Sequence, residues 1–272
     1  MYMLNRTTFL LLIGTLCMLT ACKKDKPAKP GTDNKPVDQV KPLYADSVFY
    51  VQNADYTVMP AKTQTGTYTA IPDGLELDTK TGAIDVNESE TGLKYRVSFM
   101  PSGSSTAQTS NIIISGINYA DKIYNLAHGD SIADPIYNAD ARLAIPDANK
   151  STVFDEKGGC KKAGIIINKG NAVINLAQSV RSQGIDTGAT EEVRMEYRIN
   201  DKSKLSINEL RVKIYFYRNV SEIPEYLTEL LNERKKIILT APTSPFMPAS
   251  LKMMARGRVA GSRPPCVIVV SR

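Results

Sequence analysis

Few side chains in this sequence could do covalent chemistry, since its 272 residues include four cysteines and one histidine. Cys17 and Cys22 lie near the N-terminus, whereas Cys160 and Cys266 lie far from them and from each other. The thiolate is the strongest nucleophile among these groups, and it can be acylated, oxidised or joined in a disulfide. Which of these reactions applies depends on the residues around each thiol.

Cys22 directly follows a segment with the pattern of an export signal. Residues 9–19 form the apolar run FLLLIGTLCML after a short polar start that carries Arg6. A membrane-spanning helix needs roughly twenty apolar residues, so this shorter run favours a secretory signal in residues 1–21. The run Leu19-Thr20-Ala21-Cys22 resembles the lipobox of Gram-negative bacterial lipoproteins. The resemblance implies that the Cys22 thiol is acylated, that the chain is cut before it, and that the new N-terminus is acylated too.

The lipobox resemblance also implies where the protein resides. Three acyl chains would hold it on a membrane, because each buried methylene contributes about 0.8 kcal/mol and one chain alone binds only marginally. Lys23, rather than Asp, follows the cysteine, which in this family favours the outer membrane. The sequence leaves open whether the protein faces the periplasm or the cell surface. Residues 22–42 are rich in Lys and Pro and predict a flexible tether.

The net charge of +6 is concentrated at the two ends of the chain. Six lysines lie in residues 22–42, and residues 237–272 carry five basic residues and no acidic one. A nucleic-acid-binding module would instead place its basic residues on one folded face, so we expect no nucleic acid partner. The lysines beside the lipid either lie near anionic head groups or simply keep a linker soluble.

Cys160 and Cys266 remain once the signal is removed and Cys22 is acylated. The compartment outside the inner membrane permits disulfides. A Cys160–Cys266 disulfide would close a loop of about a hundred residues and contribute a few kcal/mol, about 2–4. The alternative is that both are buried thiols, and the sequence does not choose between the two.

Residues 43–105 have the turns and alternation of a β module. Pro72-Asp73-Gly74 is a turn signal, and Leu75 and Leu77 alternate with Glu76 and Asp78 as in a half-buried strand. Thr81-Gly82 marks another turn, and Gly92 precedes a strand in which Leu93, Tyr95, Val97 and Phe99 share one face.

This stretch resembles the Ig-like repeat of bacterial surface proteins. The resemblance rests on residues 71–78 (IPDGLELD), on residues 81–84 (TGAI) and on Gly92; it departs at residues 85–87 (DVN), where a glycine and an extra turn usually follow. It implies a β-sandwich spacer or adhesion module without catalysis. Clustered carboxylates can bind calcium, but Asp73, Asp78 and Asp85 are better explained as turn and surface residues.

The predicted second domain, residues 110–272, is also rich in strands. We predict apolar strands at residues 111–119, 163–168 and 172–176, and a terminal strand in the run of residues 264–270. Residues 191–200 and 210–217 alternate strictly, which predicts two antiparallel strands with one solvated face. On that face the sequence places Arg194, Glu196 and Arg198 from one strand and Arg211, Lys213, Tyr215 and Tyr217 from the other.

Residues 221–236 predict one amphipathic helix. Ser221 can cap its start and Pro224 suits a first turn. Its apolar stripe consists of Tyr226, Leu227, Leu230 and Leu231. The predicted fold class is therefore mainly β: an Ig-like β-sandwich followed by a β-rich α+β domain with one C-terminal amphipathic helix.

Candidate sites for catalysis are sparse in the sequence. His128 lies in a His-Gly-Asp turn, and no Gly-x-Ser-x-Gly elbow or phosphate loop accompanies it. We therefore predict no catalytic histidine, no cofactor and no metal. Two carboxylates that meet only in the fold would still allow a hydrolase. Tyr215 and Tyr217 on the solvated strand face are candidate ligand contacts for a glycan, or simply residues suited to a strand.

Three functions follow from these expectations. The first is a lipid-anchored cell-envelope protein that binds or scaffolds a protein or polysaccharide partner without catalysis. The second is a surface glycan-binding lipoprotein of a nutrient-uptake system. The third is a hydrolase with a carboxylate pair in the second domain.

Overall fold

A computed structural model describes residues 42–183, 190–239 and 266–271 of the chain. The predicted signal peptide, Cys17, Cys22 and the tether up to residue 41 lie outside the described residues. Among the residues that the structure describes, no helix has the length and apolar character needed to cross a membrane.

The N-terminal part of the described chain is a β-sandwich. Its strands are β1 (Val48–Phe49), β2 (Thr57–Val58), β3 (Gly66–Ile71), β4 (Glu76–Leu77), β5 (Ile84–Asp85), β6 (Leu93–Pro101) and β7 (Gln108–Ile114). A four-stranded sheet, ordered β1-β7-β6-β3, packs against a three-stranded sheet, ordered β2-β5-β4. All pairs are antiparallel except that of the first strand with the last, β1 with β7.

Both sheets of the sandwich contribute to one apolar core. The predicted inward face of β6 is confirmed: Leu93, Tyr95, Val97 and Phe99 are all buried. The ring of Phe99 lies 4.4 Å, centroid to centroid, from that of Tyr68 on β3. This packing follows from the period-2 alternation of the sequence, because successive side chains of a strand point to opposite faces.

The C-terminal part of the described chain holds the remaining strands and the helices. They are β8 (Ile117–Asn118), β9 (Lys122–Asn125), β10 (Ile132–Ala133), β11 (Ile136–Tyr137), β12 (Val153–Phe154), α1 (Gly159–Lys162), β13 (Ile174–Asn175), α2 (Leu176–Gln183), β14 (Thr190–Arg198), β15 (Asn208–Tyr217), α3 (Glu225–Leu239) and β16 (Cys266–Ser271). Five of these strands form a mixed sheet, ordered β12-β14-β15-β16-β9 and called here the C-terminal sheet. Its buried residues form a second core, separate from that of the sandwich, within the compact unit Val40–Arg272.

Two predictions about the C-terminal sheet are confirmed. Strands β14 and β15 pair antiparallel over eight registered positions, from Thr190 with Tyr215 to Tyr197 with Asn208. The terminal apolar run forms β16, which runs parallel to both β15 and β9. The chain is thus mainly β, as its sequence predicts.

The apolar stretches at residues 163–168 and 172–176 are not the two strands that we predicted. Only a bridge from Ile167 to Ile174 and the two-residue strand β13 form there, and Leu176 begins helix α2. The second stretch ends at a helix cap, where Asn175 Oδ1 accepts a hydrogen bond of 2.8 Å from the N–H of Gln178. An asparagine in this position satisfies a backbone donor that would otherwise lack a partner at a helix start.

The C-terminal amphipathic helix is present but begins later than predicted. Ser221 lies in a single 3₁₀ turn, Val220–Glu222, and α3 starts at Glu225. Ile223, between them, has an extended backbone with φ −69° and ψ 120°. The residue before a proline avoids helical conformation for steric reasons, so Pro224 prevents the helix from starting at Ser221.

Helix α3 lies on one face of the C-terminal sheet. It buries Leu227 and Leu231 against Tyr217, Val267 and Val269. Tyr217 is at the end of β15, and Val267 and Val269 are on β16. Helix α3 therefore covers only part of the face that the alternating sequence predicts to be solvated.

Candidate functional site

Cys160 and Cys266, for which the sequence left a disulfide open, are both buried thiols in the described part of the chain. The Cys266 thiol donates a hydrogen bond of 3.2 Å to the carbonyl of Tyr119. The backbone N–H of Cys160 donates to Asp155 Oδ1 at 2.8 Å. Burial, together with the neighbouring Asp155 carboxylate, raises the pKa of the Cys160 thiol. A thiol in this state is a poor nucleophile and packs as a small apolar group.

The predicted tyrosine pair does not form an exposed platform, which corrects the prediction. Tyr217 is only 5% exposed, because it lies beneath Leu227 and Leu231 of α3. Burial raises the pKa of its hydroxyl group. Tyr215 is half-buried, with Lys213 Nζ 5.3 Å from the centroid of its ring. The two rings therefore cannot stack together on one ligand.

The other residues considered from the sequence lie at the surface or in turns. His128 is exposed at the end of the 3₁₀ turn Leu126–His128. Asp78 Oδ1 accepts hydrogen bonds from the N–H groups of Lys80 and Thr81, and Asp85 Oδ1 accepts one from that of Asn87. These short-range bonds are those of aspartates that stabilise turns.

The structure contains a cleft of about 400 Å³ between the sandwich and the C-terminal sheet, which sequence reasoning missed. One wall is the segment of residues 87–91, called here the rim segment, together with the neighbouring end of the first sandwich strand. The other wall is the hairpin of β14 and β15. Twelve residues line the cleft: Val51, Gln52, Asn87, Glu88, Ser89, Glu90, Thr91, Arg194, Ile207, Asn208, Glu209 and Arg211.

The rim segment is held in place by side-chain hydrogen bonds to backbone. The Asn87 amide donates to the carbonyls of Gln52 and Ala54, at 3.0 and 2.9 Å. The Ser89 hydroxyl accepts from the N–H of Glu76 at 2.9 Å and donates to the carbonyl of Asp85. These hydrogen bonds of Asn87 and Ser89 hold the backbone of Glu88, between them, in place. The side chain of Glu88 itself is exposed.

The facing wall carries two arginines side by side. Arg194 on β14 is directly opposite Arg211 on β15 in the strand register, so both lie on the same face of the sheet. Each is also ion-paired within that sheet, Arg194 Nη1 with Glu209 Oε2 at 2.9 Å and Arg211 with Glu192. Like charges directly opposite each other in a strand pair destabilise it, and these diagonal pairs offset the cost.

Buried hydrogen bonds join the two walls. The Tyr197 hydroxyl contacts the Thr91 hydroxyl at 2.5 Å and accepts from the N–H of Ile117 at 3.1 Å. On the other side of Gly116, Asp201 Oδ2 accepts from the hydroxyls of Tyr137 and Ser115, at 2.8 and 3.1 Å. Buried polar groups whose hydrogen bonds are satisfied favour one relative position of the segments that they join. These bonds therefore keep the two walls of the cleft at a fixed distance.

A partial signal for this site exists in the sequence. The alternation of β14 and β15 places Arg194 and Arg211 on the solvated face, as predicted. The rim segment reads only as polar turn residues before Gly92, and nothing in its pattern indicates which strand it will face. The site depends on the contact of Thr91 with Tyr197. These residues are far apart in the sequence, and one sequence alone does not predict contacts between such distant residues.

Comparison with known proteins adds little. No protein-family model matches the chain, and no curated protein matches it either. A solved structure of human protocadherin-24 EC1-2 is similar over 61% of this chain and 91% of its own, with 9% identity and a TM-score of 0.20.

Proposed function

We propose that this protein is a lipid-anchored cell-envelope protein that acts as a non-catalytic binding or scaffolding module. The observation that carries the proposal is the position of Cys22, directly after a signal-like apolar run and within Leu-Thr-Ala-Cys. The cleft between the sandwich and the C-terminal sheet supports the binding part of the proposal. Its walls are joined by buried hydrogen bonds and carry charged side chains of both signs, which suits recognition of a charged partner.

Membrane attachment would come from the lipid and not from the folded body. One acyl chain gives marginal, reversible binding, whereas two or more give stable anchoring. Acylation of both the thiol and the new N-terminus of Cys22 supplies that number. Lys23 at the second position of the mature chain supports residence in the outer membrane rather than the inner one.

The anchoring part is tested with two matched cysteine variants expressed in a Gram-negative host. Cys22→Ser removes the acylation site, and Cys17→Ser changes the other N-terminal cysteine within the apolar run. We expect Cys22→Ser to move from the detergent phase to the aqueous phase in a detergent partition, and to yield an N-terminal peptide without fatty acid. Cys17→Ser should remain in the detergent phase with an acylated N-terminal peptide.

A third variant tests the predicted membrane. Lys23→Asp should leave acylation unchanged but shift the protein towards the inner-membrane fraction of a density gradient. If the unaltered mature chain begins at any residue other than Cys22, or carries no fatty acid, the anchoring proposal is wrong.

A second candidate function, a hydrolase, is favoured by one observation. Glutamates lie on both walls of the cleft, Glu88 and Glu90 on the rim segment and Glu209 on β15. A carboxylate-pair hydrolase needs one carboxyl group held in the protonated state. Glu209 Oε2 is 2.9 Å from the Arg194 guanidinium, which suits recognition better than proton donation. Turnover of a cell-wall glycan that is lost in Glu209→Gln but kept in Glu229→Gln would support the hydrolase instead.

A further inference from the structure

The two walls of the cleft differ in charge. Glu88 and Glu90 are acidic side chains of the rim segment, whereas the sheet wall carries Arg194 and Arg211 with one acidic side chain, Glu209. Val51 and Ile207 add small apolar surfaces, and Ile207 is 41% exposed. No aromatic residue is among those that line the cleft in the described part of the chain. A ligand that matches this surface would carry opposite charges at its two ends and would not need a ring to stack upon.

The arginines are available to a ligand even though each has a partner. The side chains of Arg194 and Glu209 are 63% and 44% exposed, and those of Arg211 and Glu192 are each 38% exposed, so water reaches both ion pairs. Such pairs contribute only about 0–1 kcal/mol, so a ligand carboxylate could replace or share the Glu209 contact at little cost. Two neighbouring guanidinium groups also offer the planar, paired donors that bind a carboxylate bidentately.

We propose that the cleft binds a short peptide-like zwitterion, with its carboxylate against Arg194 and Arg211 and its ammonium group against Glu88. This inference deepens the proposed function, on which it rests for the role of the cleft as the binding site. The volume of about 400 Å³ suits a ligand of a few small residues. It also lies within the range of small-molecule pockets, roughly 300–1,000 Å³.

The test uses the full chain, purified in detergent, and three matched probes. These are trialanine with both termini charged, N-acetyl-trialanine without the ammonium group, and trialanine amide without the carboxylate. Titration calorimetry should show that trialanine binds about tenfold more tightly than either blocked peptide, because each blocked peptide loses one charge-assisted contact.

Variants assign each end of the ligand to one wall. Arg211→Gln should weaken trialanine binding about tenfold and abolish its advantage over trialanine amide, since the carboxylate contact is then lost. Glu88→Gln should abolish its advantage over N-acetyl-trialanine. The matched control is Arg142→Gln, which removes an exposed, ion-paired arginine outside the cleft and should leave all three affinities unchanged.

Several outcomes would overturn the inference. These are equal binding of the three peptides, no binding of trialanine at millimolar concentration, or unchanged binding in Arg211→Gln. Preferential binding of an acidic oligosaccharide such as trigalacturonate over trialanine would show a glycan site instead. The peptide titrations do not depend on acylation. A negative titration would therefore not affect the anchoring proposal, and a negative result in the Cys22 tests would not affect the titration.

Discussion

The hydroxyl groups of Thr91 and Tyr197, 106 residues apart in the chain, lie 2.5 Å from each other in a buried position. Thr91 belongs to the rim segment of the sandwich, and Tyr197 belongs to β14 of the C-terminal sheet. The ring of Tyr197 also stacks on Phe154, with centroids 5.5 Å apart. One side chain thus connects the second core to the first and fixes one edge of the cleft.

Removing this hydroxyl group should destabilise the whole protein. Tyr197→Phe keeps the ring but leaves the Thr91 hydroxyl without this partner and the Ile117 N–H without this buried acceptor. We expect the free energy of unfolding to fall by about 1–3 kcal/mol, the cost of an unsatisfied buried polar group. Urea denaturation followed by circular dichroism measures the change.

The control for this substitution is Tyr215→Phe, on the half-buried outer face of β15. Surface changes of this kind usually alter stability by no more than about 0.5 kcal/mol. Equal effects of the two substitutions would show that the Tyr197 hydroxyl does not join the two halves.

The chain contains two Arg–Asp pairs of equal length in different surroundings. Arg234 Nη1 lies 2.7 Å from Asp121 Oδ1, and their side chains are 10% and 3% exposed. Arg142 Nη2 lies 2.7 Å from Asp140 Oδ2, but the arginine side chain is 89% exposed. Asp121 also accepts the N–H of Val267 at 2.6 Å, so the buried pair connects helix α3 to strand β16.

These pairs should differ strongly in their contribution to stability. Arg234→Met should cost about 3–5 kcal/mol, because it removes one partner of a buried ion pair. Arg142→Met should cost about 0–1 kcal/mol, because water screens the exposed pair. Urea midpoints of the two variants, measured together, make the comparison. If both variants lose a similar amount of stability, burial does not determine how much the Arg234–Asp121 pair contributes.

The regular parts of this fold follow closely from local sequence pattern. Strict alternation predicts the paired strands β14 and β15, since a period of two leaves one face apolar. The C-terminal apolar run predicts β16, because a short continuous apolar segment must be buried. The start of α3 could also have been predicted, because Ile223 precedes a proline and such residues resist helix formation.

The features that escape the sequence depend on tertiary packing. Tyr217 continues the alternation of Arg211 and Lys213, yet α3 covers it, because where a helix crosses a sheet is not encoded in the strand. The cap at Asn175 overrides the strand preference of the apolar residues around it. The cleft is lined by Glu88 from the sandwich and Arg194 from the C-terminal sheet, which only the assembled fold brings together.

The two buried thiols give a direct chemical prediction. Cys160 and Cys266 should resist alkylation by iodoacetamide in the native protein, because both are buried and the pKa of the Cys160 thiol is raised. In urea without any reductant, both should become alkylated, as mass spectrometry of the peptides would show. If neither reacts in urea until dithiothreitol is added, the two cysteines form a disulfide and the thiol arrangement is wrong.

The last prediction concerns Glu76 and the pH dependence of stability. Glu76 on β4 is directly opposite Asp85 on β5 in the strand register. Burial, and then the negative charges of Asp85 and Glu88, raise the pKa of Glu76 above its usual value of 4.5. The folded protein therefore holds this proton more tightly than the unfolded chain does. It follows that the contribution of Glu76 to stability is present below the usual pKa and is lost as the pH rises through the raised value.

Glu76→Gln removes that titration, since the amide stays neutral. We expect the variant to be more stable than the original by about 0.2–1 kcal/mol at neutral pH, the scale of a cross-strand charge pair. The gain should diminish as the pH falls below 4.5, where Glu76 becomes protonated in both states. Urea unfolding across this range measures both, with the exposed Glu229→Gln on α3 as the control that should show no such trend. A variant that loses stability at neutral pH would show instead that the Glu76 carboxylate stabilises the β4–β5 pair.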